Sequence, residues 1–493
     1  MKFLAEILNK LPEFRALSSA VDLSRHVSAT GLSGVNKAHA VYALAEQKNK
    51  KVFVIAPDEQ EAVKMVSDLT TFFGGGVYFF PSRDFTLRQV EGVSHEYEHE
   101  RLRVLGRMAQ GDFKAVVACA DAVMQLTIPL EEYKKRTIEL KRGVEISLND
   151  VVQALIGAGY VRSDEVSGRG QYALRGGIID VFPPHTERPV RIEFWGDEPD
   201  TISYFDTESQ RRLESVDSIL ITPAVEVVFD SMEDLASKIE SLKNGLKTKS
   251  AEKAIQSLSK DIERLRGGSM LPSNDRYLPL CYGGKPATIF EYAPDAILFV
   301  SEPSRTYERA KNTLWQHGED VKVLLEDGVL CKGLDRYYIS MAELESLFEK
   351  RGAVYLDTFV RASYETNVRD VIHFTAKQLS VWGGNLSLLT EDLKTIMDKG
   401  GSAVVFGGTP RSCEALVHDL IDEGITVYGG SKISADNIKA PPPRTVLVLP
   451  GTLSAGMEYP SISFSVITHG HINAERHTVR RFKKGKQIRN LSE

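Results

Sequence analysis

The chain has 493 residues and a formal net charge of −6, with 42% hydrophobic and 26% charged residues. That length suggests about three domains, and the composition supplies enough apolar side chain for several cores. The acidic balance gives no global reason to expect strong nucleic-acid binding, and no stretch approaches the roughly 20 apolar residues needed to span a bilayer.

The N-terminal MKFLAEILNKLPEFRAL reads as an amphipathic helix interrupted by charge, without the apolar core and cleavage site of a signal peptide. Cys119, Cys281, Cys331 and Cys413 lie far apart and form no CxxC pair, so neither a zinc ribbon nor a disulfide framework is indicated. The expectation is a reduced, cytoplasmic, multidomain protein with no membrane partner.

Gly31–Ala38 reads GLSGVNKA. A working phosphate loop needs GxxxxGK[ST]: glycine lets backbone amides close on the phosphates, lysine reaches them, and the hydroxyl holds magnesium. Aligned on Lys37, the first glycine is Gly31 and Gly34 lies inside the loop, but Asn36 replaces the second glycine and Ala38 the hydroxyl. By itself this is a glycine-containing loop. The segment Lys51–Pro57 (KVFVIAP) then reads as a buried strand, Glu59–Leu69 as a helix and Ala115–Cys119 (AVVAC) as a second buried strand. Strands separated by helices imply a parallel sheet.

From about Val151 the texture changes. Tyr172–Phe182, Val190–Trp195 and Thr201–Phe205 are strand-like, separated by glycines and prolines, and predict a small antiparallel module ending near Pro223. In Val190–Trp195 (VRIEFW), alternation puts Val190, Ile192 and Phe194 on one face and Arg191, Glu193 and Trp195 on the other. The apolar face must be the core. A large aromatic beside arginine on the wet face is the composition of an interface hot spot, although a loop or neighbouring domain covering Trp195 would explain it equally. Arg175 can reach the same surface, with Gly176–Gly177 permitting a bulge that re-aims it.

Further on, Glu233–Arg266 has the spacing of two amphipathic helices broken near Gly245. Ala296–Val300 (AILFV) is another buried strand, followed by Ser301–Glu302–Pro303. That single carboxylate, with no Asp before it, reads as a capped strand end rather than a magnesium site, so no ATPase constellation is found. GxSxG is absent too. A further α/β unit has strands at Val354–Leu356, Ala403–Phe406 and Thr445–Leu449, a helix at Ser412–Glu423 and a strand-and-turn return at Gly424–Gly430. His469 and His471 lack a third metal ligand. Arg476, Arg480, Arg481, Lys483, Lys484, Lys486 and Arg489 make the last segment a solvated basic tail.

Three motifs, RGGIIDVFP from Arg175, RIEFWGDE from Arg191 and FDTESQR from Phe205, resemble the transcription–repair coupling factor family (Mfd). They are similar also to the damage-recognition subunit UvrB of the bacterial excision nuclease. Weaker likenesses at Pro81–Leu105, Ala118–Pro129, Tyr277–Pro303 and Gly456–Pro460 extend the resemblance over about residues 1–470. It implies a degenerate helicase-like parallel-sheet α/β domain interrupted by a small, mainly antiparallel sheet module and followed by a further α/β domain. The expected units are 1–130 and 224–350 (the two halves of the split domain), 131–223 (the inserted module), 351–470 (the third domain) and 471–493 (a basic linker).

The resemblance also implies that the module binds UvrA, with the family's contact residues falling on Arg175, Arg191 and Trp195; the family pattern has phenylalanine where this chain has Trp195. A decayed phosphate loop fits the coupling factor better than UvrB. RNA polymerase, double-stranded DNA, ATP and Mg²⁺ are implied only for domains beyond this chain, whose motor end would mask the UvrA surface. The expected result is a non-enzymatic, UvrA-recruiting piece or short gene product that uses no cofactor of its own. A translocase acting through Gly31–Ala38, or a DNA-binding protein using the basic tail, are the alternatives. Arg175, Arg191 and Trp195 are expected to form one exposed patch whose truncation leaves stability nearly unchanged.

Overall fold

The computed structural model describes residues 1–493 apart from 24–25, 90–93, 248–250, 362, 365–366, 430–437 and 470–493. The basic segment 471–493, and His471 with it, lie outside the described residues. Four strands come first: β1 (Val27–Thr30), β2 (Val52–Ala56), β3 (Val77–Phe80) and β4 (Ala115–Cys119). The next group is β5 (Ile138–Lys141), β6 (Val161–Arg162), β7 (Gln171–Arg175), β8 (Ile178–Val181), β9 (Val190–Trp195), β10 (Glu198–Phe205), β11 (Arg212–Ser215) and β12 (Ser218–Ile221). Then follow β13 (Ile297–Ser301), β14 (Val354–Leu356) and β15 (Asp370–His373). The last are β16 (Lys377–Leu379), β17 (Ser402–Phe406), β18 (Val446–Leu449), β19 (Gly456–Tyr459) and β20 (Phe464–Thr468).

A seven-stranded sheet of order β15-β1-β14-β13-β2-β4-β3, parallel throughout, forms the first unit. Its central strands are continuous apolar runs because helices cover both faces. In β2, Phe53 and Ile55 enter one core with Leu102 and Leu105 of helix Glu96–Ala109. Val52 and Val54 enter the opposite core with Val41 of helix Gly34–Lys48 and Leu69 of helix Glu59–Phe73. Strands β5–β12 are inserted between β4 and β13. They form a six-stranded sheet, β11-β10-β9-β8-β7-β6, antiparallel except for β6–β7, and the short ribbon β5–β12. A mixed five-stranded sheet, β16-β19-β20-β17-β18, completes the described fold. The architecture is thus a helicase-like parallel α/β sheet interrupted by a small antiparallel one and followed by further α/β structure.

Three expectations change. Tyr172–Phe182, read as one strand with a bulge at Gly176–Gly177, is the hairpin β7–β8, because the left-handed Gly176 reverses the chain there. Val354–Leu356, read into the unit beginning at 351, is β14 and lies between β1 and β13 in the first sheet. A three-residue apolar strand between long connections carries no local mark of which sheet it joins. Within the expected strand and turn at Gly424–Gly430, the described residues make only an isolated bridge, Val427 to Val446.

The inserted module is tied down by a buried charge network that no local sequence pattern marks. Beyond β12, Glu226 takes a two-pronged contact from Arg101 (2.6 and 3.1 Å), an ion pair from Arg83 (3.1 Å) and the Thr127 hydroxyl (2.5 Å). Arg83 also pairs with Asp275 through two hydrogen bonds (2.8 and 2.9 Å), and the Glu226 amide donates to Glu98 (2.7 Å). Burial pushes the Glu98 carboxyl up, but Arg83 and His95 outweigh it and hold the group well below its ordinary value. The network joins the strand β3 exit, helix Glu96–Ala109, the module's exit and the segment after the paired helices Met232–Gly245 and Glu252–Arg266.

The third sheet shares the first unit's core through Phe406, Leu449, Met457 and Tyr459. At this junction His39 is fully buried, its ring nitrogens meeting the Tyr459 hydroxyl (3.0 Å) and the Leu4 carbonyl (2.9 Å). Desolvation lowers its pKa from 6.5 to about 4. The folded state therefore refuses a proton that the unfolded chain accepts, so stability from this group is whole above pH 6.5 and is lost as pH falls toward 4. Nearby Asp68, which accepts from the Ser454 amide and hydroxyl (both 2.6 Å), is pushed up to about 6 by burial and acts in the opposite sense. His39→Gln, which can keep both contacts without titrating, should therefore reduce the stability lost between pH 7 and 5 by about 2 kcal/mol. Urea unfolding of both proteins at the two pH values measures this; equal losses would contradict it.

Candidate partner-docking face and nucleotide loop

The six-stranded sheet has one face on its main core; the other is covered in part by a small cluster of Val166, Ala173 and Phe205, and opens to solvent toward its turn end. Tyr172, Leu174, Ile179, Val181, Val190 and Ile192 point inward. Cross-strand register places Ala173, Asp180, Arg191 and Ser203 in one outward row and Arg175, Ile178, Glu193 and Thr201 in the next. Two-residue turns set this register: Gly176–Gly177 joins β7 to β8, and Gly196–Asp197 joins β9 to β10. Gly176 (φ +60°) and Gly196 (φ +63°) adopt the left-handed geometry that such turns demand. Both turns lie at the same end of the sheet, so Arg175 and Trp195 share that end of the outer face.

Trp195 is 85% exposed. Nothing in the described chain covers it, which removes the packing explanation as far as this chain goes. Arg175 is also exposed; its guanidinium donates to the Asp164 carbonyl (2.8 Å), and no carboxylate pairs with it among the described residues. Arg191 is different. It is half-buried, donates from Nε and Nη2 to the two oxygens of Asp180 (2.7 and 2.8 Å), and reaches the Gln210 carbonyl and side-chain oxygen (3.2 and 3.1 Å). Its guanidinium lies 4.6 Å over the Phe205 ring. The Asp180 hydrogen bond raises the Arg191 pKa. Glu193 is likewise paired with Arg212.

The three residues therefore share a face, but Arg191 is not a free cation. Asp180 is only 3% exposed, and truncating Arg191 would strand its charge. The expectation of an almost neutral effect on stability is corrected: Arg191→Ala should cost about 2 kcal/mol, below the range for a fully buried pair because Arg191 retains solvent contact. Thermal or urea unfolding decides, and an unchanged midpoint would show that Asp180 finds another partner. Alternation within β9 reveals the face; the Asp180 partnership depends on the adjacent strand's register.

The second feature lies at the end of β1. Gly31 (φ +79°) cannot carry a side chain, because a Cβ would sit 2.1 Å from the Phe374 carbonyl oxygen. Helix Gly34–Lys48 follows, with Asn36, Lys37 and Ala38 all buried. The Ser33 hydroxyl donates to the Asn36 side-chain oxygen, and the Lys37 ammonium is paired with Glu302 and donates to Ser301 Oγ (3.4 Å). Glu302 also accepts from the Thr358 amide (3.1 Å) and hydroxyl (2.5 Å). Burial raises the Glu302 carboxyl, but Lys37 and Thr358 outweigh it, so its pKa is lowered overall. Beside it Asp357 is pushed up to about 6 by burial, partly offset by Arg361.

The lysine of the loop thus faces the protein's own acid. Local sequence makes Glu302 a capped strand end; the structure makes it the counter-ion of Lys37, 265 positions away. The two meet because β1 and β13 run parallel on either side of β14 and deliver both ends to one edge. Among the described residues, no group of three or more His, Cys, Asp or Glu side chains is arranged to hold a metal ion. The four cysteines are free and buried, and His469 packs edge-on against Trp382. No helix of the described residues is long and apolar enough to cross a membrane.

Residues 138–226, which include the whole outer face, match the UvrB interaction domain family. Over 456 residues the chain is 29% identical to a transcription-repair-coupling factor of Bacillus subtilis (strain 168), covering 90% of this chain and 38% of the relative. It is 26% identical over 481 residues to the protein of that name from Staphylococcus aureus (strain USA300), covering 94% and 39%. The Staphylococcus epidermidis protein is 26% identical over 485 residues, with the same coverage. The chain is homologous to these coupling factors over nearly all its length, while spanning less than two fifths of theirs.

Proposed function

We propose that this chain is the UvrA-recruiting region of a transcription-repair-coupling factor, and that it docks UvrA on the outer face of its inserted module. In the whole protein this recruitment would accompany release of RNA polymerase stalled at DNA lesions. The observation that carries the reading is Trp195: a large aromatic, almost fully exposed, at the turn end of a face whose deeper charges are internally paired, inside the stretch that matches the UvrB interaction domain. An exposed rigid aromatic beside an available arginine is the composition of binding hot spots. Arg175 supplies that arginine, two strands from β9, about 10 Å away in the sheet plane. Titration of the purified chain with UvrA, by calorimetry or pull-down, tests the reading; failure to bind would end it.

The nucleotide loop supports a non-catalytic role for these residues. Asn36 and Ala38 remove the close backbone approach and the magnesium hydroxyl, and Glu302 already neutralises Lys37. ATP titration is expected to give no saturable response and no turnover, with or without DNA. Turnover that disappears in Lys37→Ala would overturn this and favour a translocase. Acidic residues outnumber basic ones between 138 and 226, which argues against the module as a DNA-binding surface.

A further inference from the structure

Arginine has five N–H donors in a rigid planar fork. In Arg191, Nε–H and one Nη2–H go to Asp180, the other Nη2–H to the Gln210 side-chain oxygen, and one Nη1–H to the Gln210 carbonyl. One Nη1–H remains. The ring of Phe205 closes one side of the guanidinium plane. Gln210 holds its place in the left-handed region (φ +57°), with its amide donating to the Thr207 carbonyl (2.9 Å) and Asp206 capping the same loop at the Ser209 amide and hydroxyl.

We propose that Asp180 and Gln210 are positioning residues for the docking face: together they convert Arg191 from a mobile cation into a fixed, charge-neutralised donor of a single hydrogen bond on the sheet face that carries Trp195. This rests on the UvrA reading above and specifies how the face presents itself. A partner then meets two unlike arginines. Arg175, without a carboxylate partner, supplies the salt-sensitive attraction. Arg191 supplies direction, because its neutralised charge adds little long-range field while its remaining N–H is already aimed and loses little freedom on binding. Neither Asp180 nor Gln210 needs to touch the partner.

The test is titration of UvrA with the wild-type chain and with Asp180→Asn, Gln210→Gly, Arg191→Ala, Trp195→Ala and the double variant Asp180→Asn/Arg191→Ala, each at low and high salt. Asp180→Asn keeps the shape and one acceptor but removes the charge. Gln210→Gly removes the side-chain acceptor at a backbone geometry that glycine adopts freely. The expected result is an affinity loss of at least about fivefold for Asp180→Asn and a smaller loss for Gln210→Gly. The double variant should bind no more weakly than Arg191→Ala alone. Asp180→Asn should also steepen the salt dependence, since it releases a cation; a purely structural role would lower affinity without changing that slope.

Wild-type affinity in Asp180→Asn, or a loss that persists undiminished in the Arg191→Ala background, would overturn the proposal. If Asp180→Asn fails to fold, Gln210→Gly carries the same decision against a Gln210→Gly/Arg191→Ala double variant. Loss of binding in Trp195→Ala but not in the positioning variants would leave the UvrA reading standing and this inference wrong. A wild-type chain that does not bind UvrA would end both.

Discussion

Trp195→Ala is expected to weaken UvrA binding by the purified chain at least about thirtyfold while leaving its unfolding midpoint unchanged. The size follows from what an exposed indole offers. A tryptophan buries about 150–250 Å² when covered, which at about 25 cal/mol per Å² exceeds the roughly 2 kcal/mol that defines a hot spot. Two kcal/mol is a factor of about thirty in affinity. The absence of a stability effect follows from exposure: at 85% accessibility the side chain contributes almost nothing to the fold, and such substitutions stay within about 0.5 kcal/mol. Trp195→Phe should retain most of the affinity, since an aromatic anchor remains. Calorimetric titration with a melting curve for each variant gives both quantities. Equal binding by wild type and Trp195→Ala would remove Trp195 from the interface.

Glu226→Ala is expected to be the most damaging single change to the fold, lowering unfolding free energy by about 3–5 kcal/mol. Glu226 and Arg101 are both fully buried, and Glu226 is the sole carboxylate within ion-pair distance of Arg101 among the described residues. Its removal leaves Arg101 with the Pro81 carbonyl and the Gln125 side-chain oxygen, neither of which balances a charge. It also takes a partner from Arg83 and strands the Thr127 hydroxyl. Glu226→Gln keeps acceptor geometry and should cost less. Replacing Arg101 and Glu226 together by leucine or methionine should cost less than either truncation alone, because no charge is then left unpaired. Urea unfolding of the series measures this; a Glu226→Ala chain within 1 kcal/mol of wild type would show that water or a rearranged Arg83 replaces the missing carboxylate.

The two tests separate the roles of the module's ends. Its turn end carries the proposed docking face, where an exposed side chain is removed at little cost to folding. Its exit carries the charge network that fixes the module on the parallel sheet, where removal costs the fold itself. A Glu226 variant that remains folded but binds UvrA normally would show that docking needs only the local geometry of β7–β10.

Local chemistry by itself determined much of this protein. The apolar runs of β2, β4, β13 and β17 announce buried strands, because parallel strands covered on both faces need no polar side. The alternation of VRIEFW shows which side of β9 faces the module's core, whereas Gly176–Gly177, which along the chain permits a bulge inside one strand, is the turn of the β7–β8 hairpin. The losses at Asn36 and Ala38 are equally plain, since a phosphate loop is a contiguous device. The tertiary structure decided which charges meet. Arg191 neutralises Asp180 because the turns and strand order of the module bring their outward positions into register. Lys37 finds Glu302 because β1 and β13 end at the same edge, although the sequence separates them by hundreds of residues. Val354–Leu356 joins the first sheet rather than the later one by the same strand order. The physical reason is common to all three: periodicity is written by neighbours along the chain, whereas ion pairing and sheet membership depend on crossovers whose handedness and packing are settled only when the whole core closes.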